Sequence, residues 1–361
     1  MRLVFFIAIL FFSLSSYAET QSREIRFFIE EQSTTFSEPV PIKLFEEDLY
    51  GGDFPDNGNN AVTFNSVAMG MSFNGLRFAY FVREDYAFNF TSDTFNLIYM
   101  DKNNIKIPDG QNFDIYLNAL HLQTAGVQVA YPVFNNQFLQ LSVGANVFQA
   151  DELLEGDISG ILTAQGDDVQ GNLALDYSHQ EDYVLGRDVQ TIAEGQGYSF
   201  DVDAQFTLTE KLYWTIHLYD VFGEINWDGA PQTVADVSTD TVYVDDQGRL
   251  HRAPVMSGHS KYNSLTQDLP VHRQSSLRYR LHPKMSFFYV AEQYQKVVFN
   301  RLIMDFRVFR GLQFKTGYDF TTESIWLGAE SKYFSFDFAT DDFDVDKSKA
   351  LVLNIQAGYR F

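Results

Sequence analysis

The chain contains no cysteine among its 361 residues. That excludes a disulfide framework, a thiolate metal site, a cysteine nucleophile and a lipidated N-terminal cysteine. Basic residues are scarce: 26 Lys and Arg stand against 48 Asp and Glu, a formal net charge of -22. This balance argues against nucleic-acid binding, because phosphate contacts need clustered Lys and Arg. No apolar run after residue 18 approaches the length of a spanning helix, which needs about 20 apolar residues. A membrane form of the mature chain must therefore be a barrel, the other structure that satisfies every backbone group internally. The His-Glu-x-x-His and Gly-x-Ser-x-Gly signatures are absent, and no motif implies a cofactor or a metal.

Aromatics are abundant instead, with 35 Phe and 20 Tyr. They favour strands and form the interfacial girdles of membrane barrels. A soluble β-sandwich with aromatic cores is the plainer alternative.

Residues 1–18 read as a secretory signal peptide. Arg2 supplies the positive start, residues 3–12 are apolar throughout, and Ser16, Tyr17 and Ala18 form a small-x-small cleavage site. Residues 19–60 are irregular, broken by Pro39, Pro41, Gly51, Gly52, Pro55 and Gly58. They are expected to be an N-terminal extension, a luminal plug or an ordered start to the barrel. Residues 61–361 are expected to form the barrel itself.

The last eleven residues carry the clearest pattern. Leu351, Leu353, Ile355, Ala357, Tyr359 and Phe361 alternate with Val352, Asn354, Gln356, Gly358 and Arg360. Lipid on one side and a wet lumen on the other demand such alternation. This ending resembles the C-terminal signature of bacterial outer-membrane proteins. That resemblance implies recognition of Tyr359 and Phe361 by the barrel-assembly machinery. The same period of two recurs at 139–147, 198–208, 302–308, 312–320 and 334–338. It turns Asp201, Asp203, Asp305, Arg307, Lys315 and Asp319 toward the lumen. His217, in the alternating stretch 212–219, is expected to face inward too.

Short turns are expected at Asn74-Gly75, Asn135-Asn136, Thr209-Glu210, 282–284, 310–311 and 331–332. Between them lie long polar stretches at 150–196, 229–274 and 341–349. Counting back from a last strand that runs inward puts every short turn of the second half on the periplasmic side and the long stretches outside, as outer-membrane barrels require. The fold class is all-β: an antiparallel transmembrane β-barrel of about 14 strands, with 12 to 16 compatible with the pattern.

Residues 195–203 (GQGYSFDVD), 212–219 and 220–227 (DVFGEINW) resemble bacterial outer-membrane barrels similar to the long-chain fatty-acid transporter and the conjugation-associated TraF-like barrels. The motifs cover roughly 35 residues and carry no catalytic group. The resemblance implies about 14 strands, an N-terminal luminal element and passage of small hydrophobic molecules. In the fatty-acid transporters an Asn-Pro-Ala-rich segment forms the plug; this chain has Asn57, Gly58, Asn59 and Asn60 there.

Three functional classes follow. The first is a porin-like channel or transporter for a small, hydrophobic molecule in a Gram-negative outer membrane, with membrane lipid as surroundings. The second is a non-enzymatic structural or assembly barrel of a surface export system. The third is an outer-membrane hydrolase, for which Ser199, Asp201 and His217 are the conceivable grouping. Asp341, Asp342, Asp344 and Asp346 form an acidic loop whose spacing suits calcium or plain solvation.

Overall fold

The computed structural model describes residues 25–360, apart from 167, 183, 188–192, 240–241, 245–249, 253–254 and 310. The signal peptide expected at residues 1–18 and Phe361 lie outside the described residues. Among the described residues, fourteen antiparallel strands close into a barrel, the number expected from the sequence.

The wall is built in chain order from β1 (Ile25–Ser37), β2 (Asn60–Phe73), β3 (Leu76–Phe90), β4 (Asn112–Asn135) and β5 (Leu139–Gln165). An outlying strand, β6 (Asp168–His179), follows before the wall resumes with β7 (Glu194–Thr209) and β8 (Leu212–Ser238). The short β9 (Val242–Val244) and β10 (Leu250–Arg252) pair only with each other, and β11 (Val255–Asp268) is again outlying. The wall is completed by β12 (His272–His282), β13 (Met285–Tyr294), β14 (Val297–Phe309), β15 (Leu312–Asp319), β16 (Ser324–Ser331), β17 (Phe334–Thr340) and β18 (Ala350–Arg360). β18 then pairs with β1, from Arg26 opposite Arg360 to Phe36 opposite Ala350.

One end of the barrel carries the start of β1, the end of β18 and the short turns expected from the sequence; a further two-residue turn, Gln295-Lys296, joins β13 to β14 at the opposite end. Asn74 and Gly75 close the β2–β3 turn with φ of 50° and 82°. Two consecutive positive values suit the right-handed twist of a hairpin, and Asn-Gly tolerates them best. We refer to this as the turn end and to the opposite one as the loop end.

The outward face is apolar toward the turn end. Met69, Tyr80, Val127 and Val147 sit opposite one another in register across four adjacent strands, and each is at least half exposed. A hydrophobic ring this open is stable only against lipid. Aromatics mark its lower edge: Phe206 stacks on Trp214 at 5.2 Å and Tyr333 on Tyr359 at 5.9 Å.

Two expectations are corrected. The barrel does not begin at residue 61. Residues 25–37 are a wall strand, because Phe27 and Ile29 face outward while Glu30 and Gln32 face the lumen. The remainder of the segment expected as an extension or plug, residues 38–59 with the short helix α1 (Ile42–Glu46), packs on the outside of the wall at the loop end. There Val40 and Leu44 cover the outward-facing Phe88 and Phe90 of β3, together with Phe95 of a second helix, α2 (Ser92–Lys102). Second, the polar stretches at 150–196 and 229–274 are not simply loops. β5 and β8 continue far past the lipid band, and β6 and β11 pair onto their projecting halves. The outward apolar residues of this projection are covered by protein: Leu97 and Met100 of α2 lie over Phe113, Ile115 and Leu162.

Candidate functional site: the barrel lumen

The lumen is filled by side chains, and the ring contacts prove it. Phe36 of β1 meets Phe299 of β14 at 5.8 Å, and Phe64 of β2 meets Tyr294 of β13 at 5.8 Å. These strands are not neighbours in the wall, so the contacts cross the interior. With Leu122, Phe148, Ile225 and Trp227 they make an apolar layer toward the loop end. Trp227 is buried, its indole N–H donating to Gln267 Oε1 at 3.0 Å.

The glycines of the 195–203 motif exist for this layer. A Cβ on Gly195 would lie 2.8 Å from the Trp227 ring, and one on Gly197 would lie 2.3 Å from the Phe148 ring. Only glycine lets both aromatics lie flat against β7.

On the turn side of the apolar layer the interior is polar. Arg83 of β3 is its centre. Its Nε donates to Asp85 at 2.9 Å, and its other nitrogens reach Asp85 and, across the lumen, Asp220 of β8. Tyr294 donates its hydroxyl to Asp85 at 2.7 Å, and the Arg83 guanidinium lies over the Phe64 ring at 4.9 Å. Arg83, Asp85, Asp220 and Tyr294 are all buried. A buried charge is tolerated only when paired and hydrogen-bonded, and here one guanidinium serves two carboxylates.

Asp220 is placed by a local irregularity. β8 carries extra residues against β7 near Phe200, and Asp220 and Phe222 adopt φ of 58° and 53°. A left-handed Phe costs on the order of 1–2 kcal/mol. The kink turns Asp220 inward to Arg83 and leaves Phe222 83% exposed on the outside. It falls within the 220–227 motif, so that motif encodes a bend in the wall.

A second ion-pair chain lines the opposite wall. Glu292 receives His272 Nε2 at 2.8 Å and faces Arg301 at 2.7 Å; Arg301 Nε donates to Asp319 at 2.9 Å. Arg278 pairs with Asp305 at 3.0 Å, Lys315 with Asp337 at 3.2 Å, and Arg77 with Glu30 at 2.6 Å.

Two cavities remain between these groups, of about 520 and 410 Å3. Phe64, Tyr219, Asp337 and Asn354 border both. Asp201, Asp203 and His217 line the larger one, Asp305 and Lys315 the smaller. Asp319 is buried behind it on Arg301, and Arg307 is exposed on the same face near the turn end, opposite Gln313 in register.

The Ser199, Asp201 and His217 grouping is not assembled. Register places Asp203, not Asp201, opposite His217, whose Nδ1 contacts it. Ser199 lies higher on the strand, fully buried, its Oγ accepting from Asn146 at 3.0 Å. In the acidic loop, Asp341 accepts from the N–H groups of Lys349 and Ala350, and Asp346 pairs with Lys43 of α1. Among the described residues no group of three or more His, Asp or Glu is arranged to hold a metal ion.

The chain is similar in structure to the P. putida toluene transporter TodX, at 9% identity over 94% of this chain and 90% of that one, with a TM-score of 0.44. The likeness is one of barrel layout. A Pseudomonas aeruginosa FadL homologue (10% identity, 94% and 90%, TM-score 0.37) and the translocator domain of the autotransporter NalP from Neisseria meningitidis (9%, 100% and 95%, TM-score 0.29) are similar in the same way. No family model and no curated protein matches the chain.

The sequence pattern turns the lumen-facing residues of regular strands the right way because parity decides orientation. It does not reveal Arg83, Asp85, Asp220, Tyr294 or Asn146 as a set. The Arg83–Asp220 and Asp85–Tyr294 contacts join strands that are not neighbours in the wall, and the available signal was only a charged residue on an inward face.

Proposed function

We propose that this chain is an outer-membrane channel or transporter that admits a small molecule into a gated lumen, not a standing open pore. The observation that carries the reading is a pair of cavities held beneath an apolar layer whose rings meet across the interior. Cavities of several hundred Å3 with a few fixed polar groups suit small-molecule ligands. The apolar layer blocks hydrated ions while offering a surface to an apolar body.

In planar bilayers the purified barrel is expected to show a closed baseline. In proteoliposomes it is expected to speed uptake of small aromatic solutes over protein-free vesicles. A steady conductance of porin size would overturn the gated lumen.

The second reading, a structural barrel of a surface assembly, is favoured by the projecting β5, β6, β8 and β11 sheet with its helical cover. A barrel that neither conducts nor takes up any small solute would establish it over the first.

Export rests on residues 1–18, and N-terminal sequencing of the mature protein is expected to begin at Glu19. Insertion rests on the C-terminal strand and the assembly machinery that its Tyr359 and Phe361 ending addresses.

A further inference from the structure

Among the described carboxylates bordering the larger cavity, Asp201 and Glu31 have no ion pair, and of the two only Asp201 is buried. Glu30, Asp220 and Asp337 each have a cationic partner, Arg77, Arg83 and Lys315, and Asp203 contacts the His217 ring. Asp201 is 5% exposed, and among the described residues no Lys, Arg or His lies within ion-pair reach of it. Its oxygens accept only from neutral donors: Asn146 Nδ2 at 2.9 Å, Gln128 Nε2 at 2.8 Å and the Asp220 N–H at 3.1 Å. These donors hold the carboxylate in place without cancelling its charge. Arg83 does not help, because it already serves Asp85 and Asp220.

A second, independent observation lies beside it. Asn146 borders the same cavity and is 6% exposed, yet its Oδ1 has no hydrogen-bond partner. The amide cannot simply be reversed, since its Nδ2 is required by Asp201. A buried acceptor left unpaired costs about 1–3 kcal/mol, so a donor is missing from this corner. The remaining wall includes Phe64, Phe81, Phe148 and Tyr219. A carboxylate and an orphan acceptor among aromatic rings recognise an ammonium group, by charge, by N–H donation and by cation–π attraction. An anion meets only acceptors at that corner, and a neutral apolar molecule leaves both oxygens as they are.

We propose that the larger cavity is a recognition site for a small organic ammonium compound, with Asp201 as its counter-ion and Asn146 Oδ1 as a hydrogen-bond acceptor. This names the substrate class of the channel reading and rests on it for access to the lumen.

Calorimetric titration of the full-length barrel in a neutral detergent tests it with three probes of one shape: benzylammonium, benzyl alcohol and benzoate. Benzylammonium is expected to bind at least tenfold more tightly than either of the others. Asp201→Asn keeps the shape and is expected to lower that affinity at least tenfold while leaving benzyl alcohol within about twofold. Gln128→Lys places an internal ammonium beside the carboxylate and is expected to abolish benzylammonium binding in the same way. Folding of each variant is read from heat-modifiable gel migration, and if one fails to fold the other decides.

Equal binding of the three probes, a preference for benzoate, or an unchanged affinity in the folded variants would overturn the site. Full displacement of benzylammonium by millimolar potassium would overturn the organic part of it. Passage is measured separately: binding retained with no uptake in proteoliposomes removes the transport reading and leaves this site standing. Uptake with no preference for the ammonium probe does the reverse.

Discussion

Arg83 is a guanidinium between two carboxylates in a space that excludes most water. Removing one member of such a group leaves uncompensated buried charge and costs about 3–5 kcal/mol. Arg83→Met is therefore expected to lower the urea midpoint of the refolded barrel by that equivalent. Arg83→Lys is expected to recover only part of the loss, because a single ammonium cannot grip both carboxylates in a fixed fork. At this scale the sequence shows orientation and hides partnership. Asp201 and Asp203 are visibly on one face because strands repeat every two residues. Which base answers which acid depends on the diameter of the barrel, a property no local window contains. The pairing of His217 with Asp203 instead of Ser199 is the same lesson on a shorter distance: the register of one hairpin decides it.

Among the elements, β5 and β8 most exceed what membrane crossing needs. A tilted strand crosses in about ten residues, whereas β5 runs for 27. Glu155 lies on the projecting part, outside the membrane-spanning segment. Burial first, then the charges of Asp268 and Asp157, push its carboxyl up to about 7 from 4.5. A raised carboxyl favours the folded state in its protonated form. The contribution is complete below about pH 4.5 and disappears as pH climbs through about 7. With partial exposure the effect is on the order of 1–2 kcal/mol. Hydrogen exchange in the β5–β6 pair, corrected for intrinsic rates, is expected to be slower at pH 5 than at pH 8. Glu155→Gln is expected to remove the difference.

β7 offers a steric counterpart. Gly197→Val is expected to cost about 1–3 kcal/mol by forcing Phe148 from the strand, read as a lower urea midpoint. The projection of β5 was hidden in the sequence because part of its outward face is covered by α2, not by lipid. The expected alternation of apolar and polar is diluted there, and a strand reads as a loop. α2 went unannounced too, although Thr91 caps it by accepting from the Thr94 N–H and Asp93 sits in its first turn.

For the molecule as a whole, closure was the most legible property. Strand number, short turns at one end and the lipid-facing pattern all follow from period-two alternation and turn chemistry. The intact barrel is expected to migrate faster on a gel unheated than boiled, and to fractionate with membranes. Deleting Phe361 is expected to lower the amount inserted without changing the properties of the barrel that does insert. Migration unaffected by boiling would count against the fold itself.

The pairing of β1 with β18 joins Arg26 to Arg360 and Phe36 to Ala350, residues more than 300 apart in the chain. Bringing such distant ends together costs about 5 kcal/mol of chain entropy by logarithmic scaling, and nothing is regained until the seam zips. The first strand synthesised must therefore wait for the last. It waits with its edge hydrogen bonds unmet and its Phe27 and Ile29 uncovered, a template for aggregation. Assembly of this protein is thus obligatorily post-translational, and its slowest step is a meeting of the two termini, so a periplasmic holding factor that shields strand edges should matter more to its yield than any single interior contact.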